Sequence, residues 1–282
     1  MAGPLTFEAL PSSEHVLSSA ENYVLYVLLE ATAHGGAGGS GARLPLNLGV
    51  VLDRSGSMYE EKRLEFVTEA VKFLVDNLTP QDKVTIVAFA DKAQVVASGD
   101  QALDKAKVKA AIDDIDLLEI GGGTQMALGM KAAIDEVKKN FTSDRLNRIL
   151  VLTDGQTYEE MACLDIVSQN KGQLSFSAMG VGVEFNEKLL QRIANDSNGK
   201  YHFIGDSAEI PGIFDDELQG LRAVSIRNGR IDLLLTQGVQ IKEAFRASPE
   251  IYALGEPLVG DDKRISYQIG DLEAGVPGSV LV

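Results

Sequence analysis

Two kinds of sequence meet in Leu46-Asn-Leu-Gly-Val-Val-Leu-Asp53-Arg-Ser55-Gly-Ser57: a nearly continuous apolar run and a loop rich in side-chain oxygen atoms. Such a run is typical of a strand that is covered on both faces of a parallel sheet. Asp53, Ser55 and Ser57 occupy alternate positions, so their side chains can face one point if the loop is extended. Carboxylate and hydroxyl oxygens are ligands that hard divalent cations prefer. The stretch therefore predicts a buried strand that ends at a cation site.

Segments of two hydrophobic periodicities alternate through the middle of the chain. Near-continuous apolar runs predict strands, and apolar residues three and four positions apart predict amphipathic helices between them. This alternation predicts a doubly wound α/β domain with a mostly parallel sheet. The predicted strands cover residues 46–52, 83–89, 148–152, 174–181 and 201–204, and the predicted helices cover about 64–78, 103–115, 126–137, 159–170, 186–195 and 207–221.

The two ends of the chain have the pattern of antiparallel strands separated by turns. We expect both termini to build one small antiparallel β-sandwich, into which the α/β domain is inserted. The last four residues resemble the middle of a strand, so a further partner strand is expected from outside this sequence. The predicted strands cover 23–32, 224–226, 230–235, 239–242 and 264–269, with turns at 228–229 and 260–262.

These patterns predict three segments along the chain. Residues 1–44 form the N-terminal part of the sandwich, with a glycine-rich linker at 35–42. Residues 45–222 form the α/β domain, and residues 223–282 complete the sandwich. Within the linker, residues 36–41 match Gly-x-Gly-x-x-Gly. No helix is predicted after them, so we interpret the match as unrelated to nucleotide binding.

Two further polar positions are expected beside the first loop. Asp154 follows the predicted strand 148–152, and Thr124 ends a glycine-rich segment just before a predicted helix. Ligands of open α/β sheets bind beyond the carboxyl ends of the strands, so these loops are expected to converge at one edge. Each residue also has a simpler explanation, since aspartate forms turns and Thr124 would serve as a helix cap.

The combined pattern resembles the metal-ion-dependent adhesion site of the von Willebrand factor type A family. Its three parts are Asp53-Arg-Ser55-Gly-Ser57, Gly-Gly-Thr124 and Leu-Thr-Asp154-Gly. In that family the two serines and the threonine ligate a divalent ion, and the aspartates do so directly or through water. The resemblance implies a Rossmann-like fold and the metal ligands Asp53, Ser55, Ser57, Thr124 and Asp154. It also implies Mg²⁺ or Mn²⁺ as the ion, with Ca²⁺ equally compatible with oxygen ligands.

The implied function is binding of a partner protein, without catalysis, through an Asp or Glu carboxylate that completes the metal's coordination. One alternative is a scaffold or regulatory subunit of a larger complex, such as a partner of an AAA-type ATPase. Others are a metal-dependent hydrolase and a metal that only holds loops together. By analogy with family members that switch affinity, the last predicted helix would couple the metal site to the sandwich.

Composition excludes several classes of function. The formal net charge is −15, which disfavours nucleic acid as a partner because phosphates would be repelled. No apolar run approaches the roughly 20 residues that span a bilayer. No secretory signal is visible, so the expected location is cytoplasmic. The single cysteine, Cys163, is expected to be packed in a helix, and His202 is expected to be a structural residue within a strand.

Overall fold

The computed structural model describes residues 5–15, 23–34, 44–99, 104–154, 157–182, 185–255, 258–259 and 264–282. The chain divides into two compact units: Leu44–Arg222 form the first, and Met1–Arg43 with Ala223–Val282 form the second. We propose that these units are the predicted α/β domain and the predicted two-part sandwich. The linker at 35–42 and the glycine motif within it lie outside the described residues.

Fourteen strands and six α-helices are assigned within the described residues. The strands are β1 (Leu5–Pro11), β2 (Val27–Ala33), β3 (Leu46–Asp53), β4 (Lys83–Phe89), β5 (Ala93–Ala97), β6 (Leu146–Thr153), β7 (Ser175–Val181), β8 (Tyr201–Ile204), β9 (Val224–Leu234), β10 (Phe245–Ser248), β11 (Tyr252–Ala253), β12 (Leu258–Val259), β13 (Arg264–Glu273) and β14 (Pro277–Leu281). The helices are α1 (Arg63–Asn77), α2 (Lys105–Asp113), α3 (Met126–Lys139), α4 (Glu160–Asn170), α5 (Glu187–Asp196) and α6 (Ile210–Ala223). Short 3-10 helices cover Gly56–Lys62, Ile115–Leu117 and Ser207–Glu209.

The α/β unit contains a six-stranded sheet in the order β5-β4-β3-β6-β7-β8. All neighbours are parallel except the edge strand β5, which is antiparallel to β4. Every residue of β3 and of β6 is buried, as expected for central strands covered on both faces. The predicted fold class, a doubly wound and mostly parallel α/β sheet, is confirmed.

Helices cover both faces of this sheet. The apolar sides of α3, α4 and α5 share one core with alternate residues of the strands, including Val51, Val151 and Phe176. Cys163 of α4 lies in this core with no exposed surface, and burial raises the pKa of its thiol to about 12. The Cys163 thiol is thus packed and inert, as the sequence predicted.

On the other face of the sheet, Glu217 of α6 accepts a hydrogen bond from Ser177 of β7.

The second unit contains two antiparallel sheets. One sheet has the order β1-β2-β14-β10-β11 and therefore combines strands from both ends of the chain. The other has the order β12-β13-β9. The predicted antiparallel sheets from both termini are confirmed, and they share a small apolar core. Its members are Leu29, Ala31, Ala33, Ile231, Ile269, Leu272 and Val280.

Three details of this unit were predicted wrongly. Strand β14 pairs with β2 on one side and β10 on the other, so both of its edges already have partners. The expected turn at Asn228-Gly229 is an irregularity inside the continuous strand β9, where the pairing register with β13 shifts. Residues 239–242 form no strand, because Val239 is exposed and this segment pairs with no described strand. The expected turn at 260–262 lies outside the described residues.

No helix among the described residues is both long enough and apolar enough to cross a membrane.

Candidate metal centre

The first carboxylate of the site belongs to Asp53, the last residue of β3. Its side chain is fully buried, and both oxygens accept hydrogen bonds. The backbone N–H of Ser55 donates to Oδ1 at 2.7 Å, and the hydroxyl of Thr153, at the end of β6, donates to Oδ2 at 2.5 Å. These two bonds fix the orientation of the carboxylate at the carboxyl edge of the sheet.

The second carboxylate belongs to Asp154, which directly follows β6. The hydroxyl of Ser57 donates to its Oδ1 at 2.8 Å, and Nη1 of Arg63 donates to its Oδ2 at 2.7 Å. The hydroxyls of Ser55 and Ser57 are themselves 3.2 Å apart. Because β3 and β6 are neighbours, these residues meet although about 100 positions separate them in sequence. Four of the five predicted site residues thus form one hydrogen-bonded group.

The fifth predicted residue, Thr124, lies in a loop that is attached to the same place. The backbone N–H of Gly56 donates to the carbonyl oxygen of Gly122 at 3.1 Å. This bond joins the loop that carries Ser55 and Ser57 (the serine loop) to residues 121–124 (the glycine loop). Helix α3 begins at Met126 with Gln125 in the N-cap position. Thr124 is therefore not the capping residue of α3, and it lies two residues after Gly122, which joins its loop to Gly56.

Asp91, which was not among the predicted site residues, shapes the glycine loop. Its Oδ2 accepts a hydrogen bond from the backbone N–H of Gly122 at 3.1 Å. A Cβ atom at Gly121 or Gly123 would overlap the carboxylate of Asp91, and Gly121 also has a φ of +86°. A signal for Asp91 exists in the sequence, because it follows the strand 83–89 at the same edge as Asp53. Close packing against Asp91 therefore requires glycine at positions 121 and 123, and Gly121 is also required by its conformation.

Arg54 attaches a further segment to this edge. Its guanidinium donates to the carbonyl oxygen of Asp116 at 2.8 Å and to that of Gly121 at 2.9 Å. The guanidinium also lies over the ring of Tyr59, at 5.9 Å from the centroid. Tyr59 in turn donates its hydroxyl hydrogen to Asp116 at 2.6 Å. The second residue of the Asp-x-Ser-x-Ser motif is thus a structural link between two loops.

Burial disfavours the charged form of Asp53. It raises the pKa of this carboxyl from 3.8 to about 6, and the nearby Asp154 adds to the increase, while the hydrogen bonds from Thr153 and Ser55 oppose it. Two buried carboxylates placed next to each other gain stability from a cation between them. The charge distribution of the site therefore favours a bound cation.

The group of donors suits a divalent metal ion. Asp53 and Asp154 offer carboxylate oxygens, and Ser55 and Ser57 offer hydroxyl oxygens within hydrogen-bond distance of each other or of Asp154. An all-oxygen set of this kind fits Mg²⁺, Mn²⁺ or Ca²⁺ better than a soft metal. Among the residues that the structure describes, no group of three or more His, Cys, Asp or Glu side chains is placed to hold a metal ion.

Replacement of Gly121 by alanine is expected to destabilise the protein by about 1–3 kcal/mol, because the new side chain combines a positive φ with overlap of Asp91. The displaced loop should also weaken Mg²⁺ binding. Gly122→Ala is the matched control, since no described atom lies within 4 Å of its added Cβ. Urea unfolding and calorimetric Mg²⁺ titration of both variants test this. Equal stability of the two variants would show that Asp91 does not constrain the loop.

Comparison with known proteins places the α/β unit in one family. The family model described as von Willebrand factor type A domain matches residues 47–216. A Synechocystis protein, sll0103, is 30% identical over 236 residues, which cover 82% of this chain and 54% of that protein. The chain thus spans about half the length of this relative.

Two solved structures share the fold. A von Willebrand factor type A protein from Catenulispora acidiphila superposes with a TM-score of 0.82 at 22% identity, covering 99% of this chain and 64% of that one. Proximal thread matrix protein 1 of the mussel byssus, with a zinc-occupied metal-ion-dependent adhesion site, has a TM-score of 0.53 at 18% identity and covers 68% of this chain and 50% of that one. Because the family model matches more than half of its residues, this chain belongs to the von Willebrand factor type A domain family.

Proposed function

We propose that this chain binds a partner protein through a divalent cation held at the carboxyl edge of its parallel sheet. Domains of this family typically mediate protein–protein interactions, and its adhesion sites bind divalent metals. The observation that carries the proposal is the hydrogen-bonded group of Asp53, Ser55, Ser57 and Asp154. It lies between β3 and β6, where the strand order of the sheet reverses and ligands of such folds bind.

Five side chains would hold the ion. The hydroxyls of Ser55, Ser57 and Thr124 would ligate it, and Asp53 and Asp154 would ligate it directly or through water. Mg²⁺ or Mn²⁺ is the proposed ion, and Ca²⁺ is compatible with the same oxygens. The mussel protein with zinc in its adhesion site supports the assignment of a divalent metal without deciding which one this chain uses.

The proposed ligand is an Asp or Glu side chain of the partner. With only two carboxylates around it, a bound dication keeps an open coordination position that a partner's carboxylate can fill. The site residues are held rigidly: Thr153 and Ser55 fix Asp53, Ser57 and Arg63 fix Asp154. Such preorganisation lowers the entropy cost of binding. A charge-assisted contact in this partly buried position can therefore anchor a modest interface.

We propose that the site binds its ligand without catalysing a reaction. A metal-dependent hydrolase needs a general base beside the metal-bound water. His202 instead contacts Glu217 at 3.2 Å, and His34 contacts Thr6. The imidazole of His202 is thus already engaged by the buried carboxylate of Glu217.

Capture of partners tests this function. The protein is immobilised and exposed to native lysate with Mg²⁺, with EDTA, and with Mg²⁺ on an Asp154→Ala bait. We expect a protein that is retained only by the unmodified bait in Mg²⁺. Alanine substitution of its surface Asp and Glu residues should then identify one carboxylate whose loss abolishes retention. Retention that is unchanged by EDTA and by Asp154→Ala would contradict the proposal.

A further inference from the structure

Arg63 lies within the proposed metal centre although no part of the Asp-x-Ser-x-Ser motif includes it. Its Nη1 donates to Oδ2 of Asp154 at 2.7 Å, and its Nη2 donates to Oε2 of Glu61 at 3.1 Å. The side chain of Arg63 is 13% exposed and that of Asp154 is fully buried, whereas that of Glu61 is 70% exposed. The contact with Asp154 is therefore the shielded one, and the contact with Glu61 is largely screened by water.

The backbone around Arg63 is arranged for this contact. The two residues before it, Glu61 and Lys62, have φ values of +48° and +57°. Two successive non-glycine residues rarely adopt this left-handed region, and such conformations persist only where the surrounding structure enforces them. They place Arg63 at the first position of α1, facing Asp154. At the end of β7, Gly182 leaves room for the guanidinium, since a Cβ there would lie 3.2 Å from Nη2.

The charge of Arg63 changes the balance of the site. The carboxylates of Asp53 and Asp154 would formally neutralise a divalent cation, which leaves no net charge to attract an anion. Arg63 contributes one further positive charge, and this charge is bonded to one of the proposed ligands. Because the neighbourhood is partly buried, that charge acts more strongly there than at the exposed surface.

We infer that Arg63 sets the net positive charge of the metal centre, weakening the binding of the divalent cation and strengthening the capture of an anionic carboxylate. The inference rests on the proposed function and deepens it. Arg63 acts in two ways on the same site: it competes with the cation for the negative charge of Asp154, and it attracts the acidic side chain of the partner. A site with this charge favours ligands that carry a full negative charge over neutral amide analogues.

Three substitutions of Arg63 separate the effect of its positive charge from the effect of its hydrogen bond to Asp154. Arg63→Gln removes the charge and keeps an N–H donor for Asp154, Arg63→Met removes both, and Arg63→Lys keeps the charge. Lys62→Met is the matched control, because it removes one positive charge from the adjacent residue, which is 72% exposed and pairs with Glu65. Circular dichroism checks that each variant is folded, and the glutamine variant serves if the methionine variant is not.

Mn²⁺ serves as the probe ion, with its affinity measured from the paramagnetic resonance signal of free Mn²⁺. Acetate serves as the probe for a carboxylate side chain, with binding measured from relaxation of its methyl protons by protein-bound Mn²⁺. Arg63→Gln and Arg63→Met should bind Mn²⁺ more tightly, by a factor on the order of ten. The same variants should bind acetate more weakly, by a factor on the order of three to ten. Lys62→Met should behave like the unmodified protein, and Arg63→Lys, which keeps the charge, should shift both affinities less than Arg63→Gln does.

Tighter Mn²⁺ binding together with weaker acetate binding distinguishes this role of Arg63 from a structural one. If Arg63 only maintained the structure of the site, its loss would weaken the binding of both probes. Mn²⁺ binding that is unchanged or weaker in Arg63→Gln would overturn the inference about Arg63 and leave the proposed function intact. Failure of the unmodified protein to bind Mn²⁺ at a site that Asp154→Ala removes would overturn the proposed function itself, and the inference about Arg63 with it.

Discussion

Substitution of Asp154 by alanine is expected to lower Mg²⁺ affinity by at least about 100-fold while the protein stays folded, since even residues that only support metal ligands contribute 10–100-fold. Asp154 is one of two buried carboxylates in the centre, and its Oδ1 and Oδ2 are bonded to Ser57 and Arg63. Its removal takes away half of the negative charge that attracts a dication. Calorimetric titration with MgCl₂ and far-UV circular dichroism measure the two effects.

Asp135→Ala is the control for this substitution. It removes the same charge from the exposed side of α3, where Asp135 pairs with Lys131. Mg²⁺ affinity of the control should stay within about twofold of the unmodified protein, because exposed charges are screened by salt. If Asp154→Ala bound Mg²⁺ as tightly as the control does, the assignment of Asp154 would be wrong. If it lost its cooperative unfolding transition, the role of Asp154 would be structural.

Substitution of Glu217 by glutamine is expected to destabilise the protein by about 3 kcal/mol at neutral pH, because it removes one charge from a buried network. Glu217, on the inner side of α6, contacts Ser177 at 2.5 Å, His202 at 3.2 Å and Arg148 at 3.9 Å. Asp216→Asn, on the exposed side of the same helix, is the control and should change stability by less than about 0.5 kcal/mol. Urea unfolding of the three proteins at pH 7 measures the difference.

The pH dependence of this effect follows from the pKa of Glu217. Burial opposes its charge, but the hydrogen bond with His202, the Arg148 guanidinium and the hydroxyl of Ser177 outweigh burial and lower the pKa from 4.5 to about 2. The depressed pKa means that the ionised form stabilises the fold above pH 4.5. This stabilisation is lost as the pH falls from about 5 towards 2. The difference in free energy of unfolding between the unmodified protein and Glu217→Gln should therefore become smaller over that range. A difference that stays constant would contradict the lowered pKa of Glu217.

The sequence predicts the elements of the α/β unit well because its central strands are almost fully buried and its elements are separated by clear turns. The ranges 83–89 and 201–204 coincide with β4 and β8, since nearly continuous apolar runs are bounded by clear turn residues. The helices that bury a stripe of residues, such as α3, were found from the spacing of three and four. Strand β5 was missed because its residues are only partly buried, and its short apolar segment follows β4 closely.

The second unit was harder to predict because its strands depend on distant partners. Strand β1 is exposed along its whole length, and β2 is its only partner among the described strands. Strands β10, β11 and β12 contain two to four residues each, too few to show a period. At Asn228-Gly229 a typical turn dipeptide lies inside a continuous strand, because pairing with β13 absorbs the irregularity as a shift of register.

The proposed ligands were identified from strand ends and residue type, but the residues that support them were not. Thr153 bonds Asp53 from 100 positions away, and Arg63 bonds Asp154 from 91 positions away. Neither contact has a local sequence signal. The bond between Thr153 and Asp53 depends on the pairing of β3 with β6, and the bond between Arg63 and Asp154 depends on where α1 begins. Asp91 is the exception, because its position after a predicted strand was available from the sequence.

The position of a bound ion is the direct test of a cation site at the carboxyl edge of the sheet. Crystals grown or soaked in MnCl₂ would reveal Mn²⁺ by its anomalous scattering. We predict an anomalous peak among the oxygens of Ser55, Ser57 and Thr124, with Asp53 and Asp154 bound directly or through water, and with a coordination position that faces solvent. Full Mn²⁺ occupancy elsewhere in the molecule, with no peak among these residues, would contradict it.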